Sequence, residues 1–150
     1  MTEILFYQLL RQPLEAVLPV LLTRSLARGW NAVVQGASEE RIRALDDLLW
    51  TFSDESFLPH GLALQNDAES QPVILTSDAS NPNHSQIRFL IDNVEEPDDA
   101  QSYERIAILF DGRFETSLQQ AREQWKRCRN KGFDVTYWAQ NETGGWEKKA

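Results

Sequence analysis

Residues 3–36 read EILFYQLLRQPLEAVLPVLLTRSLARGWNAVVQG, and the fold class turns on this stretch. EILFYQL is a short, nearly continuous apolar run and reads as a buried strand. Pro13 suits the first turn of a helix, since its missing N–H would have no partner there. Residues 14–29 carry helical apolar spacing and end at Gly29, a residue suited to closing a helix. Pro19 lies inside that pattern and predicts a late start or a kink. NAVVQG, at 31–36, is a second strand. Strand, helix and strand in 34 residues are the signature of a parallel crossover unit.

The pattern continues outward. Ser38 can cap a second helix, with Glu39 and Glu40 favourable in its first turn and Ile42, Leu45, Leu48 and Leu49 on one face. A long loop spans about 51–72. VILTS, IRFLI and RIAILF supply three more strands. Asp111–Gly112 breaks the chain before a third helix at roughly 114–131. Gly132 closes that helix, and FDVTYW is the last strand. Alternating strands and helices predict an α/β fold, a Rossmann-like three-layer sandwich whose central sheet is largely parallel with helices on both faces. Residues 1–140 are expected to form one domain, with 141–150 a polar, flexible tail.

The chain has 150 residues and a net charge of −8, with a pI near 4.7. So acidic a surface argues against direct nucleic-acid binding, and the stretch DNVEEPDDAQ, with five carboxylates, would repel DNA. No apolar run approaches the ~20 residues of a membrane span. A single cysteine, Cys128, and the absence of a basic n-region point to a reducing, cytoplasmic setting.

Catalytic signals are sparse. No glycine follows the first strand, so no dinucleotide-binding turn is present, and no P-loop appears. The absence of both predicts no working nucleotide site and no cofactor. His60 and His84 have no companions at metal-ligand spacing. Cys128, mid-helix, reads as a packing residue. Asp111, at a strand end, is the one candidate acid for an alternative reading as a degenerate nucleotide-binding enzyme, although Asp-Gly is also an ordinary turn.

AREQWKRCRNK, residues 121–131, gathers a local charge of +4 in this acidic chain. On a helical wheel Phe114, Leu118, Ala121, Trp125 and Cys128 form the core stripe. Arg122, Lys126 and Arg129 lie beside it, with Trp125 between stripe and cations. Cations at a helix C-terminus also complement the macrodipole, which is the structural explanation of the same pattern. The functional one is an acceptor site for a short acidic peptide ending in an apolar residue or free carboxylate. A second unusual stretch, residues 45–61, places Trp50, Phe52, Phe57, Leu58, Pro59 and His60 close together. It either folds back on the core or meets a partner.

Three motifs, ILFYQL (4–9), ALDDLLWTFSDESFLPH (44–60) and LQQAREQWKRCRNKGFDVTYW (118–138), resemble in order and spacing the chi subunit of bacterial DNA polymerase III. The resemblance spans nearly the whole chain. It implies a non-catalytic, Rossmann-like subunit of the clamp-loader assembly that bridges two partners. One is the acidic, phenylalanine-terminated tail of single-stranded-DNA-binding protein, with Arg122, Trp125 and Lys126, and Arg129 beside them, as its site. The other is the psi subunit or the clamp loader, facing Trp50, Phe57, Pro59 and His60. DNA would then be contacted only indirectly.

Overall fold

The structure, a computed structural model, describes residues 2–51, 59–63, 65 and 67–150. Strand β1 (Glu3–Leu9) leads into helix α1 (Leu14–Ala27) and strand β2 (Ala32–Gln35). Helix α2 (Glu39–Thr51) follows, then β3 (Gly61–Leu62), β4 (Val73–Thr76), β5 (Ile87–Leu90) and β6 (Arg105–Asp111). Helix α3 (Glu115–Asn130), β7 (Asp134–Gln140) and β8 (Trp146–Lys148) complete the chain. The strands form one sheet in the order β3-β4-β2-β5-β6-β1-β7-β8. All neighbours are parallel except β7 and β8. The α/β class and the largely parallel sheet therefore follow the alternation seen in the sequence.

Both sheet faces are apolar, as buried parallel strands require. Side chains alternate between the faces with the period of two of a strand. On one face Val34, Leu75, Phe89 and Leu109 pack with Val17, Leu18 and Leu22 of α1 and Ile42, Leu45 and Leu49 of α2. On the other, Phe6, Val33, Ile74, Ile106 and Ile108 pack with Ala121 and Cys128 of α3. The Cys128 thiol is fully buried, and burial pushes its pKa up to about 12.

Helix punctuation follows the local chemistry. Gly29 and Gly132 take φ of 83° and 88° just past the ends of α1 and α3. The Ser38 hydroxyl accepts the Arg41 N–H at 3.1 Å at the start of α2. Pro19 does not delay α1, which begins at Leu14 with Pro19 buried inside it.

Three expectations are corrected. Part of the 51–72 loop is structured, as β3 and a short 3-10 helix at Ala68–Ser70. Residues 141–150, expected to be a flexible tail, contain β8. It pairs antiparallel with β7 through a turn in which Asn141 Oδ1 accepts three hydrogen bonds, and Trp146 packs edge-on against Tyr7 at 5.0 Å. Phe114 is 63% exposed and does not join the core stripe. It precedes the first turn of α3 with extended backbone (φ −107°, ψ 127°), so the helical phase does not govern where it points. Gln124, not Phe114, completes the buried face of that helix.

Candidate functional site

Helix α3, on the sheet face opposite α1 and α2, rests on an aromatic cluster. Trp125 meets Phe6 edge-on at 5.6 Å and Tyr137 at 5.7 Å, and Tyr137 meets Phe110 at 5.9 Å. Strands β1, β6 and β7 thus supply the floor on which the half-buried indole stands. The Arg129 guanidinium lies 5.7 Å from the centre of the Trp125 ring. Trp125, Lys126, Arg129 and Asn130 line an open depression of about 440 Å³. Arg122 lies outside that lining, one turn back toward Tyr137. Burial raises the Tyr137 pKa, and the Arg122 charge opposes the rise.

The basic stretch 121–131 divides in two. Arg127 and Lys131 turn to the other side of α3 and hold Glu96 at 3.1 and 3.3 Å. The Glu96 side chain is only 3% exposed, and Gln124 also donates to it at 3.1 Å. Arg122, Lys126 and Arg129 make no ion pair among the described residues. Two of the five cations are therefore structural, and three remain available beside Trp125.

Glu96 gives this helix a pH dependence. Burial alone would raise its pKa, but the Arg127 hydrogen bond, a backbone hydrogen bond, the Gln124 amide and the Arg127 charge outweigh burial and hold it at about 2. A folded-state pKa below the unfolded one contributes stability that is complete above the unfolded value near 4.5 and is lost as pH falls toward 2. The expected loss across that window is about 3 kcal/mol. Urea unfolding of wild type and Glu96→Gln between pH 6 and pH 2 checks it. The variant should be less stable near neutrality, with a markedly flatter profile.

The second candidate surface lies at the end of α2. Trp50 is 51% exposed, and its ring lies 4.3 Å from the His60 ring. His60 itself is buried. Its Nε2 lies 3.0 Å from Asp46 Oδ1, an anchorage that draws the imidazole inward under the indole. Pro59 is half-buried beside it. Phe57 and Phe52 lie outside the described residues.

A third site, at the carboxyl ends of β1 and β6, is where crossovers leave the sheet in opposite directions. Ligands of open parallel sheets bind at such points. A cavity of about 330 Å³ is present there, lined in part by Pro13, Asp92, Asp111 and Arg113. Asp111 accepts two hydrogen bonds from the Arg113 guanidinium and one from the Arg113 backbone N–H. The Arg113 side-chain hydrogen bond is the largest of the influences that hold its pKa below the usual carboxylate range. The backbone amides after β1 are occupied from within: Gln140 Oε1 accepts from the N–H groups of Leu10, Arg11 and Gln12 at 2.9, 2.9 and 3.1 Å. Sequence reasoning missed Gln140, Glu96 and Gln124, each a polar residue whose partner lies far away in the chain. Among the described residues no cluster of three or more His, Cys, Asp or Glu could hold a metal ion, and no helix is long and apolar enough to cross a membrane.

A family model described as DNA polymerase III chi subunit, HolC, matches residues 1–136. The chain belongs to this family. The DNA polymerase III subunit chi of Pseudomonas aeruginosa is 30% identical over 139 residues, covering 90% of this chain and 94% of that protein. The probable DNA polymerase III subunit chi of Rickettsia prowazekii is 25% identical over 71 residues. That alignment covers 47% of this chain, which spans only 43% of the Rickettsia protein. In this chi-family chain the matched region contains all of α3, with Trp125 and its cations, and Trp50, while Tyr137 lies one residue beyond it.

Proposed function

We propose that this chi-family chain is a non-catalytic adaptor of the DNA polymerase III clamp-loader assembly, built on a Rossmann-like three-layer frame. Its α3 face captures the acidic C-terminal tail of single-stranded-DNA-binding protein. The Trp50–Pro59 surface, backed by buried His60, takes the psi subunit or the clamp loader. DNA is reached only through these proteins. The observation that carries the reading is the division of α3: Glu96 ties Arg127 and Lys131 into the structure, while Lys126 and Arg129 line the depression beside an indole fixed on Phe6 and Tyr137, with Arg122 one turn back. A tail carboxylate meets unpaired cations, and a terminal phenylalanine meets the indole and the stem of Arg129.

The switch-point cavity supports the same reading. A catalytic base needs a free carboxylate, and Asp111 is tied to Arg113 with a lowered pKa. A phosphate needs open amides, and Gln140 fills those after β1.

Isothermal titration with an acidic nonapeptide ending in a free phenylalanine tests the assignment. Arg122→Ala and Lys126→Ala should each weaken binding by about 0.2–1 kcal/mol, the range for exposed pairs. The difference from wild type should shrink as salt rises and screens the charges. Binding that is unchanged in both variants at low salt removes these residues from the site.

A further inference from the structure

The opposite sheet face carries a second cationic, apolar feature that the adaptor reading leaves unused. At the C-terminal end of α1 a cavity of about 400 Å³ opens over β5 and β6. Its floor is Ile87, Phe89 and Ala107, with Leu21 as one wall. Arg24, Arg28 and Arg105 stand around it, and Tyr7 lies at its side.

Three arginines gathered in a chain of net charge −8 need a reason. Arg105 already has a carboxylate, Glu3, at 2.7 Å. Arg24 and Arg28 have no ion pair among the described residues. Trp30 holds two of the guanidiniums in place, with Arg28 4.1 Å and Arg105 5.3 Å from its ring centre. Stacking of this kind fixes an arginine while leaving its N–H edge free to donate. The helix dipole explains a cation at Arg24 and at Arg28. It does not explain Arg105, which comes from a strand, or the apolar floor between them.

The shape points to an extended occupant. A smaller cavity of about 200 Å³ adjoins along α1, sharing Leu21 and Arg24 and reaching Val20 and Trp146. From Val20 to Arg28 the helix rises about 12 Å, the length of some three to four residues of extended chain. A compact metabolite would fill only one end.

We propose that this groove is a second peptide-docking site, taking a partner segment in which one large apolar side chain is flanked by carboxylates. The apolar side chain lies against Leu21 and the half-buried Tyr7 ring, above the buried Phe89 and Ala107, and the carboxylates meet Arg24 and Arg28. Trp125 packs on Phe6, and Tyr7 faces the opposite side of β1, so the two sites lie on opposite faces of the sheet and can be filled together.

Two-dimensional NMR of the full ¹⁵N-labelled chain, titrated with the blocked peptide acetyl-Asp-Asp-Phe-Asp-Asp-amide, tests this. Saturable shifts are expected at Tyr7, Ser25, Arg28 and Phe89. The double variant Arg24→Gln with Arg28→Gln keeps most of the side-chain stems and should weaken those shifts about tenfold. Trp125→Ala should leave them unchanged, which separates this site from the α3 face. Shifts confined to α3, or an unaltered titration in the double variant, would overturn the proposal. Equal affinity for phenylacetate would do so as well, by showing a pocket for small anions.

Discussion

Arg88→Met is expected to lower the free energy of unfolding by roughly 3–5 kcal/mol, the range for removing one partner from a buried charged network. Arg88 is fully buried in β5, in register between Val33 and Ile106. Its guanidinium donates to Gln35 Oε1, to the backbone oxygens of Asp78 and Ser80, and to the Tyr103 hydroxyl. The need for it follows from the topology. Helix α3 covers β6, β1 and β7 on this face, while β4, β2 and β5 are covered by loops and 3-10 turns. Loops bring backbone carbonyls that have no ladder to join, and an orphaned buried carbonyl is expensive. One guanidinium supplies five donors at once. Methionine keeps the volume and leaves those acceptors unpaired. A buried charge is often replaceable by a hydrophobe, but here the partners include main-chain oxygens that no side-chain change removes. For a domain whose total stability is about 5–15 kcal/mol, such a loss should move the urea midpoint far. Arg88→Lys should recover part of it, since three donors on one nitrogen cannot span the fork. A loss below about 1 kcal/mol for Arg88→Met would mean that water takes over the carbonyls and that Arg88 is not the clamp.

How far the molecule could be read from its sequence depends on the range of the interaction concerned. Five of the six longer strands were legible because parallel strands buried on both faces appear as largely apolar runs, and half-buried β7 by its β-branched and aromatic residues after Gly132. Gly29, Ser38 and Gly132 were legible because capping is local chemistry. β3 was not, because two residues carry no period. β8 was not, because Trp-Glu-Lys is short and polar, and its stability comes from pairing with β7 and from the Tyr7–Trp146 contact. At the α3 site the wheel placed Trp125 between core and cations. What it could not give was the sorting of those cations, since Glu96 lies 31 residues before Arg127 in the chain. His60 shows the same limit: the tie to Asp46 that buries it beside an exposed tryptophan has no mark in the sequence. Gln140 is the extreme case, an unremarkable glutamine that occupies the amides of a turn 128–130 residues away.

That sorting of charge makes the second large prediction specific. Trp125→Ala should weaken capture of the acidic, phenylalanine-terminated peptide by about 2–4 kcal/mol, the cost of removing an aromatic anchor, which corresponds to a fall of roughly 30-fold or more. Exposed cations contribute only tenths of a kcal/mol each, so most of the affinity must come from the apolar contact that the indole provides. Truncation also opens a gap above Phe6 and Tyr137, so the variant should lose about 3–5 kcal/mol of stability as well. Titration has to be run where circular dichroism shows the variant folded. Trp125→Phe offers the control: it keeps an aromatic face and most of the packing and should restore a large part of the binding. Arg127 supplies the sharper contrast. It lies two residues from Trp125 and carries the same charge as Arg129, yet it is committed to Glu96. Arg127→Ala should therefore destabilise the chain while changing peptide affinity little, and Arg129→Ala should do the reverse. If the two arginine variants weaken binding equally, general positive charge recruits the tail, and Trp125 is not the wall of a defined pocket.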